Sequence, residues 1–245
     1  MERFIKETML EHLWVNSLLS REQHGFLPGK STVSNLLEAH EDWCDLVDNG
    51  DQVDVVFTDF SKAFDSVNHG RLIKKLSIHG VSGCLLQWLS RFLTERRQRV
   101  KVGTEYSESS EPSCGVPQGS VMGPLFFLLY VNDLPDQVKS KTLMLADDVK
   151  MWAVSNGAVD NPLQESLDHL HKWASVNGMP LNPAKCAVMS VGREKIRVNY
   201  TLGGEILRRV EHFTDLGLIV QQNLKFDAHV ETAVAAGRRA LFMLR

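Results

Sequence analysis

The 245-residue sequence has no long hydrophobic run. Its longest, Leu125 to Val131, falls far short of the roughly 20 apolar residues that a membrane-spanning helix needs. Residues 1–7 carry charges of both signs and lack the apolar stretch of a secretory signal peptide. We therefore expect an intracellular protein that has no membrane partner.

Cysteines are few and scattered. The four of them, at positions 44, 84, 114 and 186, form no Cys-x-x-Cys pair and have no histidine nearby at zinc-finger spacing. This pattern favours a reduced protein with free thiols over a disulfide scaffold or a zinc finger.

Two motifs of common enzyme classes are also missing. No Gly-x-x-x-x-Gly-Lys-Ser/Thr loop is present, so a P-loop ATPase is not supported. No Asp-Thr/Ser-Gly sequence is present, so an aspartic protease is not supported either.

An overall positive charge is lacking as well. The net charge of −3 argues weakly against a nucleic-acid partner, because affinity for phosphates comes largely from Lys and Arg. However, the segment from Arg91 to Lys101 holds five basic residues against the single acid Glu95. This local cluster argues weakly for nucleic-acid binding.

What is present is an ordinary globular composition, 43% apolar and 23% charged, with enough residues for a buried core. The apolar periodicity predicts α-helices. We expect them near residues 4–14, 31–48, 71–78, 85–92, 124–131 and from Asp160-Asn161-Pro162 to Gly178, with a last one after Asp227 that is still running at Leu244-Arg245.

Four segments have the pattern of β-strands and hairpins. Val53 to Phe60 has apolar residues at both odd and even positions, which indicates a central strand buried on both faces. Apolar segments flank Asp147-Asp148 as in a two-residue hairpin, and another hairpin is predicted at Gly203-Gly204. Residues 100–102 resemble an exposed strand. The pattern predicts an α+β fold, in which helices cover a small antiparallel sheet.

Acidic residues stand out at two of these strand ends. Asp59 closes the buried strand, and Asp147-Asp148 forms the hairpin tip. Carboxylates brought close together raise each other's pKa unless a cation neutralises them, and Mg²⁺ prefers such oxygen ligands. Two metal ions about 3.5–4 Å apart can drive an in-line displacement at phosphorus.

Each acidic signal has a simpler interpretation when it is taken alone. Asp147-Asp148 could be a polar turn, because Asp is favoured in turns. Asp59 could cap a helix that starts at Ser61.

The ordered combination of motifs is more specific. Asp59–Val67, Gly115–Ser120 and Ala146–Asp148 resemble motifs A, B and C of reverse transcriptases, in the right order. Gly178–Cys186 is similar to motif D, and Asp215–Leu218 lies where motif E is expected. Residues 23–32, QHGFLPGKST, are similar to the fingers motif of LINE-type elements. The chain is thus identified as a member of the non-LTR retrotransposon reverse transcriptases.

This resemblance implies a right-hand polymerase palm with partial fingers and a truncated thumb. The expected boundaries are 1–52 for the fingers, 53–79 for the palm with motif A, 80–117 for a fingers/palm connection, 118–222 for the palm with motifs B to E, and 223–245 for the start of the thumb. The implied reaction joins a deoxynucleoside triphosphate to the 3′-hydroxyl of a DNA primer on an RNA template, in the nucleus during retrotransposition.

The resemblance also implies residue roles. Asp59, Asp147 and Asp148, with the Phe60 carbonyl, would bind two Mg²⁺ or Mn²⁺ ions. Lys185 would complete the catalytic set by protonating the departing pyrophosphate or stabilising its charge.

Substrate-binding residues follow from the same motifs. Phe64 would exclude a 2′-hydroxyl, although alone it could be a core aromatic, and Lys185 alone could be a solvated surface residue. The implied nucleotide pocket contains Lys30, Ala63, Phe64, Pro117, Gln118 and Gly119. The implied template and primer contacts are Arg96, Arg97 and Arg99, which could also be no more than a soluble helix end.

The sequence departs from the family pattern in several places. Leu145 replaces the usual aromatic of motif C, and Val149 follows where Thr is common, which puts packing at the primer end in doubt. We expect the first fingers motif, most of the thumb, the endonuclease domain and the zinc knuckle to be missing. A competent polymerase and a catalytically silent remnant that at most binds nucleic acid therefore remain as alternatives. Motif order and Phe64 disfavour a third alternative, another two-metal palm enzyme such as a nucleotidyl cyclase.

Overall fold

The computed structural model describes residues 1–155, 161–193 and 195–243. Its α-helices are α1 (Glu2–Val15), α2 (Thr32–Asp48), α3 (His69–Ile78), α4 (Gly83–Thr94), α5 (Gly123–Val131), α6 (Pro162–Asn177) and α7 (Asp227–Met243), with 3₁₀ turns at Ala63–Ser66 and Pro135–Gln137. Its strands are β1 (Val53–Thr58), β2 (Lys101–Val102), β3 (Glu105–Tyr106), β4 (Lys141–Leu145), β5 (Asp148–Val154), β6 (Ala187–Val191), β7 (Thr201–Leu202), β8 (Glu205–Ile206), β9 (Arg208–Arg209), β10 (His212–Asp215) and β11 (Leu218–Gln221).

The principal sheet has five strands in the order β4-β5-β1-β6-β9. β1 pairs antiparallel with both β5 and β6, and only the short β9 is parallel to its neighbour. Every residue of β1 is buried, which confirms the predicted central strand. The predicted α+β class is confirmed too.

Helices and a hairpin cover opposite faces of this sheet. On one face, Val56 packs with the apolar sides of α5 and α6 in the larger core. On the other face, Phe57 packs with Trp43 of α2 and Trp152 of β5 in a second core. The β10–β11 hairpin closes this second core, where the Phe213 ring stacks on Phe57 with 4.2 Å between ring centroids. Successive side chains of β1 point to opposite faces of the sheet, so this one strand contributes residues to both cores.

Several predicted helix boundaries are confirmed because capping residues set them. The Ser31 side chain accepts a hydrogen bond from the Ser34 amide, and the Ser34 side chain accepts one from the Ser31 amide. These two bonds form a capping box that starts α2. Asn161 caps α6, and Gly178 ends it with a left-handed φ of 68°. Asp160, which was expected at the start of α6, lies outside the described residues.

The predicted position of the acidic hairpin turn is wrong by one residue. Leu145 pairs with Asp148, so the two turn residues are Ala146 and Asp147, and Asp148 is the first residue of β5. The preference of Asp for turns suggested that both acids sit at the tip, but ladder pairing sets the register. The second predicted hairpin is confirmed, as Gly203-Gly204 joins β7 and β8.

The last predicted helix is observed as α7, and its expected continuation through Leu244-Arg245 lies outside the described residues. Among the helices that are described, none has the length and apolar character needed to cross a membrane.

Candidate active site

A cavity of about 730 Å³ lies at the edge of the principal sheet. It opens between the end of β1, the start of β5 and the β10–β11 hairpin. Of the four predicted catalytic residues, Asp59, Asp148 and Lys185 line it, whereas Asp147 is not among its lining residues.

Antiparallel pairing brings the two acidic motifs together. The β1–β5 ladder ends where Thr58 lies opposite Val149. One step further along the two strands are Asp59 and Asp148. Residues opposite each other in such a ladder have Cα atoms about 5 Å apart, so motif A and motif C meet at this edge.

The backbone of Asp59 is held by the segment that resembles motif D. Its amide donates to the Cys186 Sγ at 3.4 Å, and its carbonyl accepts from the Asn182 amide at 2.9 Å. The next amide, that of Ser61, donates to the Pro180 carbonyl at 2.7 Å. These bonds fix where the Asp59 side chain leaves β1.

The Asp59 side chain contains a buried oxygen that needs a partner. Its Oδ2 has no hydrogen-bond partner among the described residues, although the Lys185 Nζ lies 3.4 Å away. The Lys185 side chain is 66% exposed, so solvent screens this ion pair and limits it to less than about 1 kcal/mol. A buried carboxylate oxygen in this state is suited to accept a cation from the cavity.

The motif C acids are electrostatically linked to Asp59. Removal from water raises the pKa of Asp147, and the Asp59 carboxylate raises it further, against a hydrogen bond from its own backbone. Asp148 lies on the cavity rim and is partly exposed, yet crowding by protein atoms raises its pKa to about 6, with added contributions from Asp147, Asp215 and Asp59. The acids are therefore close enough to oppose each other's ionisation.

A complete metal-binding cluster is not formed. Within residues 1–155, 161–193 and 195–243, no three His, Cys, Asp or Glu side chains converge in an arrangement that could hold a metal ion. Like charges repel, so carboxylates that share a cation are not expected to converge without it. The metal roles of Asp59, Asp147, Asp148 and Phe60 remain predictions.

The segments that resemble motifs A and B lie against each other. The Phe64 ring stacks on Phe127, with 4.3 Å between centroids, and meets the edge of Phe26. The Gln118 Nε2 donates to Asp65 Oδ1 at 2.9 Å. Ala63 is buried beside them, whereas Pro117 is partly exposed and Gly119 is exposed. Phe64 and Gln118 thus belong to one surface, which the predicted nucleotide pocket requires.

The remaining predicted contacts involve basic residues. The Lys30 Nζ donates to the Arg21 carbonyl at 2.9 Å and lies 3.0 Å from His24 Nε2, so it is tied to its own loop. The Arg96 guanidinium donates to the Gly115 carbonyl at 2.9 Å and supports the motif B loop.

The neighbouring arginines are more accessible. Arg97 pairs with Glu111 at 3.3 Å in an exposed contact, and Arg99 is exposed. Template binding by Arg96, Arg97 and Arg99 remains a prediction.

Comparison with known proteins decides the family. A family model described as reverse transcriptase (RNA-dependent DNA polymerase) matches residues 1–226. The chain belongs to the reverse transcriptase family.

Named relatives come from non-LTR retrotransposons, as the motifs predicted. The chain is 28% identical to the probable RNA-directed DNA polymerase from transposon BS of Drosophila melanogaster, over 100% of this chain and 28% of that protein. It is 28% identical to the RNA-directed DNA polymerase from mobile element jockey of the same species, over 97% of this chain and 27% of that protein. The chain therefore spans under a third of the length of these relatives.

Solved structures confirm the predicted polymerase palm. Apo telomerase from Candida tropicalis aligns with a TM-score of 0.63 at 14% sequence identity, over 93% of this chain and 40% of that one. At this level of identity the likeness concerns the fold.

Sequence reasoning missed a buried ion pair beside the acidic residues of this chain. Lys150 and Asp215 contact each other with side chains only 3% and 6% exposed, and both line the cavity. Burial lowers the pKa of Lys150, and Asp215 opposes that effect. A lysine within the apolar strand β5 was the available signal, but only the tertiary structure shows its partner.

Proposed function

We propose that this chain is the polymerising domain of a retrotransposon protein that copies an RNA template into DNA. The observation that carries the proposal is the buried Asp59 Oδ2, which accepts no hydrogen bond among the described residues and shares a cavity with Asp148 and with Lys185, its partner in an exposed ion pair. Membership of the reverse transcriptase family supports the same reaction. Action in the nucleus follows from the resemblance to retrotransposon proteins alone.

The proposed reaction forms one bond and breaks another. The primer 3′-oxygen bonds to the α-phosphorus of the deoxynucleoside triphosphate and loses its proton to solvent. The bond from the α-phosphorus to the bridging oxygen of the β-phosphate breaks, and pyrophosphate leaves. Base pairing with the RNA template selects the nucleotide.

Two divalent ions, Mg²⁺ or Mn²⁺, are the proposed cofactors. Asp59, Asp147 and Asp148 would hold them together with the Phe60 carbonyl. When bound, such ions favour ionisation of the attacking hydroxyl and neutralise charge on the leaving group. The Asp59 oxygen that lacks a hydrogen bond and the raised pKa values of the motif C acids fit this role.

The protein's own side chains would orient the substrates and move a proton. Lys185, with its ammonium 3.4 Å from Asp59, would protonate the departing pyrophosphate. Phe64 stacks on Phe127, and its ring would exclude a ribose 2′-hydroxyl from the nucleotide pocket. The other proposed nucleotide contacts are Lys30, Ala63, Pro117, Gln118 and Gly119, and the proposed template and primer contacts are Arg96, Arg97 and Arg99.

Primer extension on an RNA template tests the proposal. With Mg²⁺ or Mn²⁺ the purified chain should extend a DNA primer, and Asp147→Ala should reduce the rate by about 100-fold or more, like other losses of transition-state electrostatics. Asp136→Ala, which changes an exposed Asp in a 3₁₀ turn, is the matched control and should retain the rate. Activity that survives Asp147→Ala would overturn the metal assignment.

The alternative is a catalytically silent fold that only binds nucleic acid. The incomplete convergence of acidic side chains within the described parts of the chain favours it. In that case the chain would bind primer–template without extending it, and Asp147→Ala would leave binding unchanged. Extension that depends on Asp147 would exclude this alternative.

A further inference from the structure

A short upstream segment, residues 22–25, lies along the open edge of β4. Gln23 forms a parallel bridge with Met144. The Met144 amide donates to the Glu22 carbonyl at 2.9 Å, and the His24 amide donates to the Met144 carbonyl at 2.8 Å. This pairing brings the segment alongside the strand that leads into the acidic turn.

The Gln23 side chain extends beyond the paired backbone and forms hydrogen bonds with the turn itself. It is only 4% exposed. Its Oε1 accepts from the Ala146 amide at 2.9 Å and from the Gly25 amide at 2.6 Å, while its Nε2 donates to the Ala146 carbonyl at 3.5 Å. One side chain thus binds both polar backbone groups of Ala146, the residue that precedes Asp147.

Ala146 needs such support because of its conformation. Its φ of 57° lies in the left-handed region, which residues with a Cβ seldom adopt. Gly25 packs so closely that a Cβ there would lie 2.5 Å from the Ala146 nitrogen. The backbones of the upstream segment and the turn therefore lie in direct contact, with no room for a side chain at position 25.

We propose that Gln23 is a positioning residue that fixes the Ala146-Asp147 turn and so sets the direction of the Asp147 carboxylate. The inference rests on the proposed role of Asp147 in catalysis. Gln23 touches no reacting atom. Its effect on the reaction passes through the backbone of Ala146.

A matched control is available at the other end of β1. Gln52 is 2% exposed, and its Oε1 also accepts from two backbone amides, those of Lys195 at 2.6 Å and Ile196 at 2.9 Å. Gln52 precedes β1 and Asp59 follows it, which separates them by roughly 20 Å at ordinary strand rise. Methionine has nearly the same length as glutamine but cannot accept these bonds, so each substitution removes a buried acceptor of two backbone amides. Gln52→Met also removes the bonds that Nε2 donates to the Ile196 carbonyl at 2.7 Å and to Asp54 Oδ1 at 3.3 Å, which makes it the more severe change and a stringent control.

Amide hydrogen exchange and steady-state kinetics on the full chain test the proposal together. Both variants should lose thermal stability, and Gln52→Met should lose at least as much as Gln23→Met. Only Gln23→Met should speed exchange of the Gly25 and Ala146 amides, by about tenfold. Only Gln23→Met should lower kcat, by about tenfold or more, with KM for the deoxynucleotide nearly unchanged, since small misplacements of reacting groups are costly.

A second substitution tests the route through the turn. Glycine adopts a positive φ without a Cβ clash, so Ala146→Gly in the Gln23→Met background should restore most of the lost kcat. Equal losses of kcat in Gln23→Met and Gln52→Met, unchanged exchange in Gln23→Met, or no recovery with Ala146→Gly would each overturn the proposal. If the unmodified chain fails to extend primers, the polymerase proposal fails, while the exchange comparison still decides whether Gln23 holds the turn.

Discussion

Asp148 differs from most exposed acids in its protonation. Its pKa is raised from 3.8 to about 6 by removal from water and by neighbouring carboxylates. The folded state therefore binds a proton more tightly than the unfolded chain does between about pH 4 and pH 6. As a consequence, this residue lowers the free energy of unfolding as pH rises through that window.

Asp148→Asn should remove this penalty in the metal-free protein. The full pKa difference corresponds to about 3 kcal/mol, and solvent screening at a partly exposed group reduces the expected gain to about 1 kcal/mol at pH 7. The gain should vanish below about pH 4, where Asp148 is protonated in both states. Urea denaturation at several pH values measures it, with Asp136→Asn as an exposed control. A gain of the same size at pH 3 would contradict this explanation.

The proposed role of Phe64 in sugar discrimination can also be tested with a single substitution. Phe64→Val should raise the relative kcat/KM for ribonucleotides by about tenfold, because a smaller side chain leaves room for the 2′-hydroxyl. Phe127→Leu is the matched control, since it breaks the same ring stack from the other side. It should reduce stability without changing sugar discrimination. Equal changes in discrimination for both variants would show that the stack, and not the Phe64 ring itself, is responsible.

At the scale of elements, the Lys150–Asp215 pair joins β5 to the β10–β11 hairpin. Both side chains are buried, so removing one partner leaves an uncompensated charge. Lys150→Met should lower the free energy of unfolding by about 3 kcal/mol or more, and Lys150→Met/Asp215→Leu should recover most of that loss. Urea denaturation measures both effects.

An exposed ion pair provides the comparison for this experiment. Lys141 of β4 pairs with Asp42, but its side chain is 63% exposed. Lys141→Met should cost less than about 1 kcal/mol. A similar cost for Lys141→Met and Lys150→Met would mean that burial does not govern the strength of the β5–hairpin contact.

Elements with local signals could be predicted from the sequence. Ser31 and Gly178 marked helix ends because capping and left-handed closure depend on single residues. The acidic turn was placed one residue too late, since its register depends on the pairing of Leu145 with Asp148. The Lys150–Asp215 contact spans 65 residues of chain, and no local pattern encodes it.

For the whole molecule, the sequence predicted the class of the site better than its geometry. Asp59 and Asp148 were matched to motifs A and C by resemblance, and the antiparallel register of β1 and β5 explains why they meet. Periodicity alone predicts that both strands exist but not that they are neighbours. Gln23 belonged to a recognised motif, yet its hydrogen bonds with Ala146 join residues that are 123 positions apart in the chain, so the motif alone does not predict them.

The pairing of residues 22–24 with β4 also affects how separate copies of the chain meet. β4 is the outer strand on one side of the principal sheet, and the outer strand on the other side, β9, has two residues. Exposed strand edges are templates for intermolecular pairing and fibril growth. By occupying amide and carbonyl groups of Met144, the upstream segment removes part of that template. The segment that carries Gln23 therefore also shortens the strand edge that is open to intermolecular pairing.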